Sequence, residues 1–172
     1  NRVRIRKWNV AVSLNWRGAN GGYFQFKPLV ESFDVENTED RFVANLPEGN
    51  TIFEHQIYGG AEATYSYENK DSAAFPTLGL NMGLTAGYKT NIDDTTAENS
   101  FGYLQPELAI NHKLTKSGSL VLATKLGGEV IIGDDFEFYH GATIGGNNSL
   151  RGFRNERFTG KQSFYQNTDL RI

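Results

Sequence analysis

The segment that decides the fold is residues 76–88, which read PTLGLNMGLTAGY. Its even-numbered positions, from Pro76 to Tyr88, are all apolar or aromatic, whereas its odd-numbered positions are only Gly, Thr and Asn. Successive side chains of a β-strand point to opposite faces, so a strict period of two is typical of a strand with one apolar and one polar face. A helix would repeat its apolar residues about every 3.6 positions. We therefore predict a strand here.

The same alternation extends outward from this segment in both directions. Between Trp8 and Trp16 every even position is apolar, and at about 3.3 Å per residue the two tryptophans lie roughly 26 Å apart along a strand. The segment around Pro28 is the least regular, and we expect this proline or a bulge to shift its phase. Pro76 and Pro106 are expected near strand ends or at bulges, because proline removes a hydrogen-bond donor from the ladder. Seven strands are predicted, over residues 8–16, 23–35, 53–67, 76–88, 103–111, 120–132 and 163–172.

The composition fits strands that show one apolar face to lipid. The chain has 172 residues, of which 38% are hydrophobic and 13% aromatic, with 19 glycines and a mean hydropathy of −0.48. A transmembrane β-barrel has this profile because its polar lumen side dilutes the average hydrophobicity. No stretch approaches the run of about 18–20 apolar residues that a membrane-spanning helix needs. The absence of cysteine excludes disulfides and Cys-based metal sites.

Short and long connections alternate along the predicted strands. The short ones are residues 17–22, 68–73 and 114–118, and the long ones are 36–50, 89–100 and 133–161. Short turns at one end and long extracellular loops at the other are typical of outer-membrane barrels. The phase of the strand over 120–132 would place Lys125 and Glu129 inside such a barrel. Because single-chain barrels close with an even number of strands, seven strands indicate a section of a larger barrel.

The longest predicted loop contains the most specific motif of the chain. Residues 145–153 read GGNNSLRGF and end on Leu150, Arg151, Gly152 and Phe153, and the strand that follows carries Asp169 in its inward phase. An aliphatic residue followed by Arg-Gly-aromatic resembles the conserved loop of the BamA-type superfamily of outer-membrane assembly and translocation β-barrels, the bacterial surface antigen family. The amino-acid sequence of the loop is similar to that of Bacteroidota members.

This resemblance implies a loop that folds back into the barrel lumen. It implies that Arg151 pairs with Asp169, that Gly152 permits a backbone conformation denied to other residues, and that Phe153 packs against the lumen wall, with Leu150 completing the motif. It also implies a sixteen-stranded barrel, of which this chain would supply the sixth to twelfth strands. We therefore expect residues 1–172 to be part of one outer-membrane β-barrel domain, with N-terminal strands, a periplasmic or fused module and the last strands outside the chain.

The remaining candidates are aromatic, histidine and basic residues. They are Trp8, Trp16 and Tyr88, then His55, His112 and His140, and finally Arg2, Arg4, Arg6 and Lys7. We expect the first group to belong to aromatic girdles at the membrane interfaces. The histidines have no metal-ligand spacing, so neither a metal nor another cofactor is predicted. The basic residues are interpreted as one rim or headgroup-facing patch, because a pI of about 5.6 argues against nucleic-acid binding.

Together, the residues and the resemblance predict a non-enzymatic, integral protein of the bacterial outer membrane that acts in the insertion or translocation of other proteins. The expected partners are outer-membrane lipids and lipopolysaccharide, client outer-membrane or secreted proteins, and accessory lipoproteins. Three alternatives stay open. The chain is a passive porin or ligand-uptake channel, or it is the barrel anchor of a metallophosphoesterase fused before its first residue, or it is a soluble β-sandwich whose alternating faces form a core.

Overall fold

The computed structural model describes residues 4–36, 53–93, 99–147 and 149–172, so Arg2 and most of the predicted loop over 36–50 lie outside the described residues. One short 3-10 helix, Phe138–His140, accompanies the strands in these ranges. The strands are β1 Arg4–Ala11, β2 Leu14–Arg17, β3 Gly22–Glu36, β4 Gln56–Lys70, β5 Gly79–Asn91, β6 Ser100–Lys113, β7 Val121–Ile132, β8 Ala142–Ile144, β9 Phe158–Gly160 and β10 Gln162–Arg171.

One antiparallel sheet contains all the long strands, in the order β1-β3-β4-β5-β6-β7-β10, and β2 also pairs with β3. β1 and β2 are two parts of one strand, because the register that sets Ala11 opposite Leu29 continues unchanged into β2. The interruption lies opposite Pro28. The Val12 N–H donates to the Pro28 carbonyl oxygen at 3.2 Å, but proline has no N–H to return the bond. The seven predicted strands and the all-β antiparallel fold are thus confirmed.

The prolines lie where the sheet does not need their missing donor. β3 keeps one register with β4, so the predicted phase shift at Pro28 is wrong. In an antiparallel pair the N–H and carbonyl of a residue point to the same neighbour, so the defect at Pro28 affects the pairing with β1 and leaves that with β4 intact. Pro76 lies in the turn before β5, not inside the strand. Pro106 lies within β6 at a gap in its pairing with β7.

The sheet curves into a half-barrel with an apolar outer face. On β1 and β2 the even-numbered residues from Trp8 to Trp16 point outward, and their large side chains are about half exposed or more. Neighbouring strands continue this face with Phe24, Phe26, Tyr65, Met82, Leu84, Tyr88, Leu104, Phe164 and Leu170. A contiguous exposed apolar surface of this size is unusual on a soluble monomer. It is the surface that a lipid-facing sheet presents.

The inner face is polar and contains a buried carboxylate with two ammonium partners. The Glu31 carboxylate, 4% exposed, lies 2.9 Å from Lys7 Nζ and 2.7 Å from Lys89 Nζ. Lys125 and Glu129 share this face, as their phase in the sequence predicted. A buried carboxylate with two ammonium partners satisfies the rule that charges removed from water are paired. The two faces of the sheet therefore differ in polarity as the alternation predicted.

The two ends of the sheet carry different connections. The turn end has residues 18–21, 71–78 and 114–120, and the loop end has the connections after β3, β5 and β7. The prediction that every connection at the loop end is longer than those at the turn end holds only in part. The turn over 71–78 and the loop over 92–99 both contain eight residues. In the turn over 71–78, hydrogen bonds from Thr77 lower the pKa of the Asp71 carboxyl. No helix among the described residues is long and apolar enough to cross a membrane.

Candidate functional site

The candidate site is the connection between β7 and β10, residues 133–161, here called the inner loop. It passes through the 3-10 helix and β8, and it returns through β9, which pairs with β8 from Ala142 opposite Gly160 to Ile144 opposite Phe158. β8 packs against both β7 and β10. The small hairpin therefore lies on the inner face of the sheet instead of extending beyond the loop end.

Aromatic rings attach the first part of the inner loop to the sheet. This aromatic anchor consists of Tyr139 and His140 from the loop with Phe33, Tyr58 and Phe101 from the sheet. The Tyr139 ring stacks on the Phe33 ring with centroids 4.4 Å apart, and the His140 ring lies 4.5 Å from Tyr58 and 4.7 Å from Phe101. The three sheet residues are at most 3% exposed. Aromatic pairs contribute about 0.5–1.5 kcal/mol beyond their area burial, so this cluster is a strong attachment.

His140 occupies the centre of the anchor as a neutral imidazole. Its side chain is buried, and neither ring nitrogen has a hydrogen-bond partner within the described part of the chain. Burial lowers the pKa of the imidazole to about 3, and the positive charge of Lys89 acts in the same direction. Burial also raises the pKas of its loop neighbours, the Glu137 carboxyl and the Tyr139 phenol. The packing of the rings therefore requires the uncharged form of His140.

A glycine-dependent turn follows β8. Gly145 has φ of 146°, and a Cβ at this position would lie 2.1 Å from the Arg154 carbonyl oxygen, so only glycine fits. The Ser149 hydroxyl accepts a hydrogen bond from the Gly145 N–H at 2.9 Å and donates one to the Gly145 carbonyl oxygen at 2.9 Å. These two hydrogen bonds close the turn. The motif residues that follow it lie beside the C-terminal half of β10.

Arg151 and Asp169, here called the tip pair, meet across this part of the inner face. Arg151 Nη1 lies 3.2 Å from Asp169 Oδ1, and Nη2 lies 3.4 Å from Oδ2, in the two-point geometry typical of arginine and carboxylate. The side chains are 64% and 37% exposed. Exposed ion pairs contribute only about 0–1 kcal/mol. The pair is therefore suited to orienting the loop tip more than to holding the loop in place.

The other motif residues shape the tip itself. Gly152 has φ of 86°, in the left-handed region that favours glycine, and a Cβ there would meet no atom within 4 Å. The Phe153 N–H donates to the Leu150 carbonyl oxygen at 3.4 Å. The Phe153 ring is half exposed and lies 5.6 Å from the Phe158 ring. The packing of Phe153 on the lumen wall, which the resemblance implies, stays a prediction, because the described sheet is a half-barrel.

Strand geometry divides the predicted basic patch. Arg4 and Arg6 lie on the outer face, 3.7 Å and 3.3 Å from the Glu36 carboxylate. Lys7 is on the inner face and pairs with Glu31. A shift of one residue along a strand reverses the face, so the prediction of a single rim patch is wrong.

The remaining predicted residues are distributed over both faces. Trp8, Trp16 and Tyr88 lie half exposed on the outer face. His55 lies 2.7 Å from the Ser32 hydroxyl and 3.7 Å from Asp93. His112 lies on β6. Within the ranges that the structure describes, no cluster of His, Cys, Asp or Glu side chains forms a metal site.

Sequence reasoning missed two attachments of the inner loop. One is the aromatic anchor, and the other is a hydrogen bond of 2.6 Å from Asn167 Nδ2 to the Ser149 carbonyl oxygen. A signal for the anchor does exist in the sequence. Phe33, Tyr58 and Phe101 are large rings in the inward phase of their strands, close to the loop end, where polar residues are expected. No comparable signal marks Asn167, since Asn is common on a polar lumen face.

Comparison with known structures agrees with this fold. The chain is similar to the crystal structure of BamA from Haemophilus ducreyi lacking POTRA domains 1–3, with a TM-score of 0.71 and 16% sequence identity. The match covers 90% of this chain and 31% of that chain, so the present chain spans about a third of its length. A likeness at this identity concerns the fold alone. No curated protein matches the chain.

A family comparison extends over nearly the whole sequence. The Omp85 superfamily domain matches residues 13–169, a range that includes the sheet except for β1 and the end of β10, together with the inner loop and both members of the tip pair. The resemblance to the BamA-type superfamily that the Arg-Gly-Phe motif suggested is confirmed. This chain belongs to the Omp85 superfamily.

Proposed function

We propose that this chain is a section of a bacterial outer-membrane β-barrel that inserts or translocates other proteins. The observation that carries the proposal is the inner loop, which lies on the inner face with Arg151 paired to Asp169. The match of the Omp85 superfamily domain over residues 13–169 favours a protein-handling barrel over a passive channel. In such a barrel the inner loop would brace the wall while a client passes.

The outer face supports the proposed location. Trp8 and Trp16 bracket an apolar stripe, and the Trp16 ring lies 5.5 Å from Phe24. We infer that Trp16 and Phe24 belong to one aromatic girdle and that Trp8 and Tyr88 lie near the other. The apolar residues between them would contact the acyl chains of lipids, and lipopolysaccharide would border the loop end.

The proposed role is mechanical and involves no bond chemistry in this chain. The inner loop braces part of the wall of a larger barrel, which we take to have sixteen strands. Client proteins and accessory lipoproteins would contact other parts of that barrel as well. A fused metallophosphoesterase would have to bring its metal ligands from outside the described residues, because these contain no metal-binding cluster.

Charge reversal at Arg151 tests the proposal in the native full-length protein. Arg151→Glu places a carboxylate against Asp169, so we expect most assembly of newly made client barrels to be lost, measured by their heat-modifiable gel mobility. Arg154→Glu is the matched control, because Arg154 is exposed in the same loop and has no ion pair among the described residues. It should leave assembly near the wild-type level.

A passive porin is the second candidate, favoured by the charged inner face around Glu31, Lys7 and Lys89. Under this candidate Arg151→Glu would alter single-channel conductance in planar bilayers while client assembly continued. Unchanged assembly together with altered conductance would therefore replace the proposed function with a channel.

A further inference from the structure

We propose that Asn167 is a positioning residue that sets the register of the inner-loop tip on β10, by donating a hydrogen bond to the backbone of Ser149. Its side-chain Nδ2 donates to the Ser149 carbonyl oxygen at 2.6 Å, in a partly buried contact. This contact depends on no feature of the Arg-Gly-Phe motif itself. Its importance for client assembly rests on the proposed function, but its geometry does not.

The spacing of two contacts shows how the register is specified. Asn167 and Ser149 are 18 residues apart in sequence, and Asp169 and Arg151 are also 18 residues apart. The loop segment and the strand therefore run in the same direction between the two contacts. Asn167 and Asp169 are successive inward-facing residues of β10, two positions apart in sequence. The strand thus presents an amide donor and then a carboxylate acceptor, in the same order as the Ser149 carbonyl and the Arg151 guanidinium of the loop.

The two contacts differ in what they can specify. A long arginine side chain that is 64% exposed reaches a carboxylate from several backbone positions. The Asn167 amide is short and donates directly to a main-chain carbonyl oxygen, so it tolerates little displacement of the loop backbone. We infer that Asn167 fixes the position of the loop backbone. The Arg151 side chain is then already within reach of the Asp169 carboxylate.

The Ser149 side chain helps to fix the position of the Ser149 carbonyl group that accepts the hydrogen bond from Asn167. Its hydroxyl is bonded to both the N–H and the carbonyl oxygen of Gly145 at 2.9 Å. The side chain is thereby engaged within the turn, and the main-chain carbonyl oxygen faces Asn167. This arrangement links the turn after β8 to β10 through one hydrogen bond.

The experiment measures the position of the tip directly. The 172 residues contain no cysteine. In a full-length protein from which any other cysteine has been removed, spin labels attached at Arg154→Cys in the loop and Lys116→Cys in a turn report one distance distribution. Asn167→Asp has nearly the same shape but presents oxygen to the Ser149 carbonyl. We expect the distribution to broaden and to gain components displaced by about 7 Å, the length of two strand residues.

A matched control has the same chemical change at another inner-face position. The Asn15 side-chain oxygen accepts hydrogen bonds from the Tyr23 hydroxyl at 2.7 Å and from Gln25 at 2.9 Å. Asn15→Asp keeps an acceptor there and adds the same charge, so the distance distribution should remain that of the wild type. Asn167→Ala removes the donor without adding a charge and should broaden the distribution as Asn167→Asp does.

Two outcomes would overturn the inference. A wild-type distribution in both Asn167 variants means that the amide does not set the register. Equal broadening in Asn15→Asp means that any added charge on the inner face disturbs the loop. Heat-modifiable mobility of each variant verifies its folding, and if Asn167→Asp does not fold, Asn167→Ala decides. The client-assembly assay of Arg151→Glu is separate, so failure of the proposed function leaves the distance result interpretable.

Discussion

The inner loop is attached to the sheet in two physically different ways. At the aromatic anchor, Tyr139 and His140 pack among rings that are almost completely buried. At the tip pair, Arg151 and Asp169 form an ion pair with both side chains substantially exposed. Burial contributes about 25 cal/mol per Å² of apolar surface, whereas an exposed ion pair contributes about 0–1 kcal/mol. The motif that identifies the family is therefore not the part of the loop that contributes most to its stability.

The largest effect is expected from truncation at the anchor. Tyr139→Ala removes the ring stacked on Phe33, and we expect the free energy of opening β8 to fall by about 2–4 kcal/mol, near the lower range for loss of a large aromatic side chain. Hydrogen–deuterium exchange of the β8 amides measures this quantity. Phe138→Ala is the matched control, because the neighbouring ring is 38% exposed, and its cost should stay below about 1 kcal/mol. Equal costs for the two variants would show that the buried stacking of Tyr139 is not what attaches the inner loop.

Acid should weaken the aromatic anchor through His140. His140 has a pKa of about 3 when packed and about 6.5 when released, so the open loop takes up a proton first. The stabilisation is complete above about pH 6.5 and is lost as the pH falls. At pH 5 the loss reaches about 2 kcal/mol, from 1.36 kcal/mol per pH unit. The β8 amides should exchange correspondingly faster at pH 5 after correction for the intrinsic rate.

A variant without the titrating ring isolates this effect. His140→Phe keeps an aromatic ring in the cluster and removes the proton site, so its opening free energy should lack the loss below pH 6.5. The Glu137 carboxyl, whose pKa is raised by burial, gives the opposite slope and remains in both proteins. Subtracting one pH profile from the other therefore leaves the contribution of His140. Identical profiles would show that His140 is not the acid-sensitive group.

The smallest stability effect is expected at the tip pair. A double-mutant cycle of Arg151→Ala and Asp169→Ala should give a coupling of about 0–1 kcal/mol in the opening of β8, and this coupling should decrease as salt is added. The readout is again amide exchange, at low and at high ionic strength. A salt-insensitive coupling above about 2 kcal/mol would make the tip pair a major attachment and remove the distinction from the anchor.

Much of the sheet was predictable because a strand has a local repeat. The alternation in residues 76–88 and 8–16 identified strands and also assigned their faces, including the inward Lys125 and Glu129. Errors occurred where pairing partners decide the outcome. The effect of Pro28 depends on which neighbour its carbonyl faces, and the sequence does not state which strand that is.

The candidate site was predictable only in part. The resemblance suggested that Arg151 meets Asp169, and the structure places them 3.2 Å apart. The contacts of His140 could not be foreseen, because its partners come from β3, β4 and β6. The hydrogen bond from Asn167 to Ser149 is accepted by a main-chain carbonyl oxygen. Every residue has such an atom, so the amino-acid type at position 149 does not reveal the contact.

The sequence by itself determined the strands, the polarity of the two faces and the presence of a long glycine-containing loop, because each follows from local periodicity or from the conformations that glycine permits. Only the tertiary structure decided that the loop lies on the inner face, which rings enclose His140 and which backbone atom Asn167 binds. These contacts join residues far apart in the chain. They depend on the curvature and register of the sheet, which arise from all of its strands together.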